Sequence, residues 1–444
     1  MPRSSYRWIV VAVSAAANSL AWSVRSTFAL FYVALLAEFG WQRGEAALGY
    51  SLSWLLLIVF SPLAGWLHDR FGARVVVAAG GLLLGSGMAL TGRVDALWQY
   101  YAAFGVLGAA GIGLIMMPAF AVTSRWFVAG RGKALGIISA GASASAVIFY
   151  PVNAWLIDAL GWRDAMGAYG LMILLGVAPA AMLLRPAPAG AGGIAGGQKP
   201  VAAPNGTRVP GGATGRAAAA DASRVTAGAT SEAAHAGGRA VPDWTLRAAL
   251  GTSQLWAAFV MWGLGVIGYQ IMTTHQVAHA LDRGFDAATV AWVFGLSGLF
   301  TTVGNVVGGA LSDRWGRAAV FALGSAIGVV GIVCFAGLTG PGDMPRLLAY
   351  SAAGFGFGMR ISLLSAIPAD AFQGRSFGAI LGVVNAGGGL GGFVGPFLGG
   401  YLFDLTGDYR LAFAASAAAI TGSAVAAWLA ARPPAAARPG APAR

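Results

Sequence analysis

Charged residues are scarce in this sequence: Asp, Glu, Lys and Arg make up 10% of its 444 residues, and 57% of the residues are hydrophobic. A water-soluble domain has about 25% charged residues. The composition therefore excludes an ordinary soluble protein and indicates that most of the chain faces lipid or a lipid-buried interior.

Residues that build catalytic and metal sites are also few. The only cysteine, Cys334, lies within an apolar stretch, which excludes a disulfide framework and a thiolate metal site. The four histidines form no cluster with Cys or Asp, and the sequence has neither a nucleophile elbow nor a phosphate-binding loop. We therefore expect no metal, no cofactor and no enzymatic activity.

Long apolar runs are what the chain has in abundance. A helix that crosses about 30 Å of hydrocarbon needs about 20 residues, and runs of this length recur along the whole sequence. They predict an all-α membrane protein with twelve transmembrane helices. The first run is too long for a removable signal peptide and lacks a small-residue cleavage site. The predicted helices span residues 8–36, 46–67, 75–92, 98–122, 134–157, 165–184, 253–280, 288–311, 318–339, 347–368, 376–402 and 411–431.

The stretch 185–247 differs in composition, because it is built from Ala, Gly, Pro, Thr and scattered Arg with no apolar period. It predicts a flexible cytoplasmic linker between an N-terminal six-helix bundle (1–184) and a C-terminal one (248–432), followed by a disordered cytoplasmic tail (433–444). A folded cytosolic domain is the alternative, although the stretch has almost no large apolar side chains to bury.

The basic residues are distributed unevenly between the two sides of the membrane. With both termini on one side, 20 of the 28 Lys and Arg residues lie on that side and 6 on the other. Basic residues favour the cytoplasmic side, so we expect a multi-pass protein of the cell inner membrane with both termini in the cytoplasm. The net charge of +12 is then a consequence of topology, and nucleic acid is not expected as a partner.

Two sequence motifs occur twice at the same offset. "GWLHDRFGAR" (65–74) recurs as "GALSDRWGRA" (309–318), 244 residues later, and "GRGKALG" recurs as "GRSFGAILG" with Gly130 and Gly374 at the same offset. Two pairs at one offset indicate a duplicated unit of six helices. The sequence therefore predicts two pseudo-symmetric bundles.

A duplicated twelve-helix chain with these paired Asp-Arg loops and a central linker resembles the major facilitator superfamily. The resemblance implies the fold of that family and a transport function. It also implies that the two loops hold the cytoplasmic side shut and release it on opening. The alternative is that the loops only anchor the helices to lipid headgroups. The residues to which the resemblance gives a gating role are Asp69, Arg70, Arg74, Asp313 and Arg314.

Within the superfamily, "VRSTFALFYVALLAEFGWQRGEAALGYSL" and "RWFVAGRGKALGIISAG" are similar to the bacterial monocarboxylate-porter and oxalate/formate-antiporter group. One position departs from that group. Its monocarboxylate porters carry a substrate-binding Arg in helix 8, four residues before the glycine that opens the loop motif, and this chain has Asn305 there. A basic residue is found instead in helix 10, as Arg360.

Two arginines, Arg25 and Arg360, lie in the middle of predicted helices. A charged side chain at the bilayer centre costs about 2.5–3.5 kcal/mol on insertion scales, and none of the sixteen acidic residues is predicted at mid-membrane depth. Unpaired cations at this depth favour a water-filled cavity that receives an anion, with carboxylate the first choice because a guanidinium binds it in a bidentate manner. The alternative is that Arg25 binds backbone carbonyls or a structural network with Asn18.

Other polar residues share faces of the same helices. Asn18, Arg25 and Tyr32 are spaced by seven residues in helix 1, and Tyr269 and Gln276 by seven in helix 7. The resemblance implies that helices 1, 4, 7 and 10 line a central path with the site near the midplane. The predicted substrate-binding set is Arg25, Arg360, Tyr32, Asn18, Tyr269, Gln276 and Asn305, and His275 is the candidate for proton coupling.

These observations together predict a secondary active transporter that moves a small organic carboxylate by alternating access, through proton symport or anion exchange. We expect it to act in the lipid bilayer as a monomer. Efflux of drugs or other small molecules is an alternative, although export of cations would call for a membrane-embedded acid. A non-transporting sensor on the same fold is a second alternative, and would call for an output domain.

Overall fold

The computed structural model describes residues 3–127, 131–185, 244–374 and 376–432. Ten stretches in this part of the chain are helices long and apolar enough to cross a membrane. Two of these stretches each contain two helices that are joined at a glycine with positive φ, Gly72 in one and Gly161 in the other. Division at these two glycines gives the twelve spans that the sequence predicts.

We number the spans in chain order. They are α1 (Arg3–Ser26 and Phe28–Phe39, interrupted at Thr27), α2 and α3 (the parts of Arg43–Thr91 before and after Gly72), α4 (Leu97–Trp126), α5 and α6 (the parts of Arg131–Ala181 before and after Gly161), α7 (Ser253–Asp282), α8 (Ala287–Trp315), α9 (Arg317–Ala336), α10 (Met344–Ala371), α11 (Phe377–Thr406) and α12 (Arg410–Ala430).

Glycine makes the tightest connections between these helices. Gly72 and Gly316 have φ of 79° and 87° with ψ of 162° and 148°, a backbone region that essentially only glycine occupies. The two glycines are 244 residues apart, as are Gly40 and Gly284, which also have positive φ. The duplication that the sequence predicts is therefore present in the backbone torsion angles, and it gives two six-helix halves.

The halves meet along three pairs of helices: α2 with α11, α5 with α8, and the second part of α1 with α7. Glycines in α11 permit close approach to both neighbours. A Cβ atom on Gly391 would lie 2.3 Å from the carbonyl oxygen of Gly263 in α7, and one on Gly392 would lie 2.4 Å from the Trp54 ring in α2. The small residues of α11 thus bring the helices of the two halves into direct contact.

The predicted linker and tail fall almost entirely outside the described residues, which stop at Arg185 and Arg432 and resume at Trp244. The described residues include four, 244–247, that precede residue 248, where the second bundle is predicted to begin. Trp244 is buried against Phe372, and the Thr245 side chain caps a short helix, Leu246–Leu250, by accepting a hydrogen bond from the Ala248 N–H.

Candidate functional site

Arg25 lies on α1, two residues before the interruption at Thr27, and is 5% exposed. Its Nη2 donates to the carbonyl oxygen of Ser53 at 3.2 Å, with the Ser53 Oγ 3.4 Å away. The guanidinium carbon lies 4.1 Å from the centroid of the Trp54 ring, within the range of a cation–π interaction. One face and one edge of the guanidinium are therefore held by α2.

Two of the three guanidinium nitrogens have no such partner. Nε and Nη1 of Arg25 are buried, and neither makes a hydrogen bond to any of the described residues. Within the same residues, no Asp or Glu forms an ion pair with Arg25. These two nitrogens carry three N–H groups, and N–H groups of a buried cation are the donors that a carboxylate or another oxyanion accepts from.

Arg360, on α10, has a different environment. Its Nη2 donates to the Ser423 Oγ at 3.0 Å, and its guanidinium carbon lies 4.7 Å from the centroid of the Phe321 ring. Ser423 belongs to α12 and Phe321 to α9, both in the same half as Arg360. Gly265 of α7 leaves room for the hydrogen bond between Arg360 and Ser423. The contacts of the two arginines therefore stay in separate halves, so an anion bridging both remains a prediction.

The other α1 residues of the predicted set contact different neighbours from Arg25. The Asn18 amide donates to the carbonyl oxygen of Ile138 in α5 at 3.2 Å, and the Tyr32 hydroxyl donates to the carbonyl oxygen of Arg43 at 2.9 Å. The interruption of α1 at Thr27 separates Tyr32 from the helical turns that carry Asn18 and Arg25. The structure thus does not gather these three side chains into one site.

The polar side chains of α7 join the two halves. Gln270 donates to the Tyr50 hydroxyl in α2 at 3.1 Å, and Gln276 donates to the Tyr150 hydroxyl in α5 at 2.9 Å. Gln276 also accepts from Tyr350 of α10 at 2.8 Å, so both the nitrogen and the oxygen of its amide have a partner, and the amide connects three helices. Tyr269 is 39% exposed, far more than the other aromatic residues of the predicted set.

His275 is buried on the same helix, and both of its ring nitrogens have a partner. Nε2 lies 2.9 Å from the carbonyl oxygen of Pro396, and Nδ1 lies 3.3 Å from the Tyr409 hydroxyl. A neutral ring that donates from Nε2 and accepts at Nδ1 satisfies both contacts. A role in proton coupling for His275 remains a prediction.

Asn305 lies on α8 at partial burial. Its Oδ1 is buried and makes no hydrogen bond to the described residues. Its backbone packs against Gly358 of α10, since a Cβ atom there would lie 2.9 Å from the Asn305 nitrogen. Asn305 is therefore close to α10 but makes none of the contacts described for Arg25 or Arg360.

Polar contacts between the halves cluster at the end of the bundle where Arg43 lies, which we call the Arg43 end. The Arg43 guanidinium forms an ion pair with Asp282 at 2.8 Å and donates to the Tyr409 hydroxyl at 2.5 Å. The backbone N–H groups of Arg43 and Gly44, at the start of α2, donate to the Asp404 carboxylate at 2.9 and 2.7 Å. These contacts hold α2 against α7 and α11, so the Arg43 end is closed.

The predicted gating residues lie at the opposite end, which we call the Asp69 end, and the ion pairs there stay within one half. Asp69 pairs with Arg125 at 2.8 Å, and Asp313 pairs with Arg317, which also reaches Asp370 at 3.1 Å. The other three gating candidates differ in their surroundings. The Arg70 guanidinium lies over the Trp66 and Phe71 rings. Arg74 has a buried Nε without a partner among the described residues, and Arg314 is exposed. Their gating role remains a prediction.

The sequence alone does not identify the residues of α2 and α11 that contact Arg25 or join the two halves. Trp54 is not distinguishable by sequence from the other apolar residues of its stretch, and its ring lies edge-on to that of Trp22 with the ring centroids 6.4 Å apart. Arg43 falls between the predicted helices 8–36 and 46–67, and nothing in its local sequence indicates partners more than 200 residues away. The glycines of "GGGLGGFVGPFLGG" were the available signal that α11 packs closely.

Comparison with known proteins agrees with this architecture. The model of the Major Facilitator Superfamily matches residues 11–341 and 276–444. Among solved structures, a bacterial homolog of the human lysosomal transporter Spinster, in an inward-facing and unoccupied conformation, aligns with a TM-score of 0.64 and 14% identity. The alignment covers 96% of this chain and 95% of that one, and at this identity it supports the fold alone.

Curated relatives extend over most of the sequence. Monocarboxylate transporter 11 of Homo sapiens is 28% identical over 443 residues, covering 94% of this chain and 82% of the relative. Monocarboxylate transporter 13 of Rattus norvegicus is 27% identical over 430 residues, covering 96% of this chain and 89% of the relative. The uncharacterized MFS-type transporter YhjX of Escherichia coli is 25% identical over 375 residues, covering 82% of this chain and 81% of the relative. The chain belongs to the Major Facilitator Superfamily and is a multi-pass membrane transporter.

Proposed function

We propose that this transporter moves a small organic carboxylate across the cytoplasmic membrane by alternating access, and that Arg25 binds the carboxylate. The observation that carries the proposal is the buried Arg25 guanidinium, of which two nitrogens, Nε and Nη1, have no hydrogen-bond partner among the described residues. The names of the relatives, monocarboxylate transporters at 27–28% identity, support the same class of substrate.

The position of Arg25 suits a site that alternates between the two sides. Arg25 is held by Ser53, and the neighbouring Tyr50 and Trp54 touch the opposite half through Gln270 and Gly392. An anion at Arg25 would therefore lie next to the contacts that change when the halves move. A ligand that favours one arrangement of such contacts shifts the population of the two states.

We further propose that the Asp69 end faces the cytoplasm, because the excess of Lys and Arg lies on that side. The closed Arg43 end then faces outward. Energy coupling would follow from exchange of one anion for another or from a proton carried with the substrate. A pH gradient across proteoliposomes separates these routes: symport responds to it in the absence of internal substrate, and exchange calls for substrate on both sides.

The test is uptake of radiolabelled acetate, pyruvate, lactate and benzoate into proteoliposomes. We expect Arg25→Ala to lower kcat/KM about 10- to 100-fold, the change expected from loss of hydrogen bonds to a charged group, and Arg25→Lys to lower it less. Arg163→Ala is the control, since Arg163 binds Glu38 inside its own half. Uptake by Arg25→Ala equal to the parent's would refute the assignment of the site. If the wild-type protein transports a lipophilic cation such as tetraphenylphosphonium and takes up none of the carboxylates, the result would support efflux instead.

A further inference from the structure

Trp54 stands out because its indole ring contacts both the proposed anion site and the opposite half. On one side, the ring faces the Arg25 guanidinium at 4.1 Å. On the other side, it lies against Gly392 of α11, where a Cβ atom would be 2.4–2.7 Å from three carbons of the ring. Trp54 thus fills a notch that exists because residue 392 has no side chain.

This notch is part of a continuous contact between α2 and α11. One turn toward the Arg43 end, the Phe397 N–H donates to the Ser51 Oγ at 3.1 Å. One turn toward the Asp69 end, a Cβ atom on Gly389 would lie 2.6 Å from the Ile58 Cγ1. We call this contact, formed by Ser51, Trp54 and Ile58 with Gly389, Gly392 and Phe397, the α2–α11 seam. The ring of Trp54 is its largest side chain.

The indole N–H of Trp54 is a further hydrogen-bond donor without a partner in the described part of the chain, in addition to those of Arg25. In the described residues, Trp54 Nε1 is buried and makes no hydrogen bond. A buried N–H without a partner is unfavourable, and a buried Trp usually finds one. While the ring fills the notch, its N–H therefore adds nothing to the stability of the seam. Withdrawal of the ring from the notch would free this N–H to donate to an anion held by Arg25.

We propose that Trp54 couples the binding of an anion at Arg25 to release of the α2–α11 seam. This inference rests on the proposed function of Arg25. Without an anion, the positive guanidinium attracts the face of the ring and holds it in the notch, which keeps the two halves together. A carboxylate bound to the free N–H groups of Arg25 neutralises that attraction and accepts a hydrogen bond from the indole once the ring turns. The anion therefore binds more tightly to the protein when the seam is released than when it is closed, and so it favours the conformational change.

The test measures the seam by disulfide cross-linking in a Cys334→Ser background. Ile58→Cys and Gly389→Cys place two thiols within the range of a disulfide when the seam is closed. We expect Gly392→Val to slow cross-linking about tenfold, because the ring can no longer enter the notch and overpacking shifts the two-state equilibrium. Gly382→Val is the matched control, since a Cβ atom on Gly382 of the same helix meets nothing within 4 Å.

A compensating change guards against a trivial loss of folding. Adding Trp54→Ala to Gly392→Val removes the ring from the crowded position, and we expect the cross-linking rate to return toward that of Gly382→Val. Equal rates in Gly392→Val and Gly382→Val would overturn the proposal, as would failure of Trp54→Ala to restore the rate.

The coupling itself is read from the response to anions. We expect at least one of acetate, pyruvate, lactate or benzoate to slow cross-linking in the parent. The response of each protein is the ratio of its rate without anion to its rate with anion. We expect Trp54→Phe, which keeps a ring in the notch but has no N–H, to bring this ratio closer to one. An undiminished response in Trp54→Phe, with wild-type uptake intact, would refute the role of Trp54 alone. Absence of both the anion response and wild-type uptake would refute the carboxylate function of Arg25 as well.

Discussion

At the scale of single residues, two buried arginines have distinct surroundings. Two buried nitrogens of Arg25, Nε and Nη1, have no hydrogen-bond partner among the described residues, and Arg25 lies beside the α2–α11 seam; Arg360 has one such nitrogen, Nε, and contacts α9 and α12 of its own half. The Ser423 hydroxyl beside Arg360 also donates to the carbonyl oxygen of Met261 at 2.6 Å. Ser423 therefore keeps a hydrogen-bond partner when Arg360 is replaced.

This difference leads to a prediction for Arg360→Leu. Replacing a buried charge with an apolar side chain of similar volume is often neutral or stabilising, so the Tm of the purified variant should be no lower than that of the parent. Its KM for carboxylate uptake should be unchanged, because we assign the carboxylate to Arg25, and the contacts of Arg360 are with Ser423 and Phe321.

Arg360→Ala serves as the comparison, because it leaves a cavity and should lower the Tm. A large rise in KM for Arg360→Leu at unchanged Tm would contradict this prediction, and would support the direct contact with substrate that the sequence predicted.

At the scale of elements, the helix connections depend on single glycines. Gly72 joins α2 to α3 with φ of 79° and ψ of 162°, and a Cβ atom there would meet no other atom within 4 Å. Any cost of a side chain at Gly72 thus comes from the backbone conformation and not from crowding. The same torsion angles at Gly316 give the second half the same connection between α8 and α9.

We predict that Gly72→Ala lowers the free energy of unfolding by about 1–3 kcal/mol, the usual cost of a residue held in such a region. Gly65→Ala is the matched control, because Gly65 lies in the helical part of α2 and also has nothing within 4 Å. It should raise stability by about 0.5–1 kcal/mol, since alanine favours the helix. Thermal unfolding in detergent should show a lower Tm for Gly72→Ala and a higher Tm for Gly65→Ala. A similar shift of the Tm in both variants would argue against backbone strain.

At the scale of the whole molecule, the two halves are held together asymmetrically. The Arg43 end carries ion pairs and hydrogen bonds between the halves, whereas the ion pairs of Asp69, Asp313 and Asp370 join residues of the same half. Arg43 is central to the closed end, because it contacts Asp282, Tyr409 and the Phe403 ring of the other half.

We therefore predict that Arg43→Ala opens the Arg43 end. Hydrogen–deuterium exchange should become faster in the peptides that cover residues 43–51 and 397–404, because their N–H groups lose protection when the halves part. Arg163→Ala is the control at the same end, since Arg163 pairs with Glu38 and Asp95 of its own half. Equal exchange in both variants would show that Arg43 does not hold the halves together.

The helices themselves were largely predictable from the sequence. Their number, order and approximate bounds follow from apolar length, and the duplication follows from a repeated motif whose two glycines have the same torsion angles. The cost of placing a charge in lipid was enough to single out Arg25 and Arg360. These properties depend on the local sequence and on the thickness of the bilayer, so they need no knowledge of the tertiary structure.

Only the tertiary structure decided what each of these residues touches. Whether Arg360 faces the other half or α9 and α12 depends on the rotation of α10, and the pairing of Trp54 with Gly392 depends on the register of α2 against α11. Lipid is as apolar as most of the helix surface, so the hydrophobic pattern does not specify which face meets which neighbour, and close packing around small residues does.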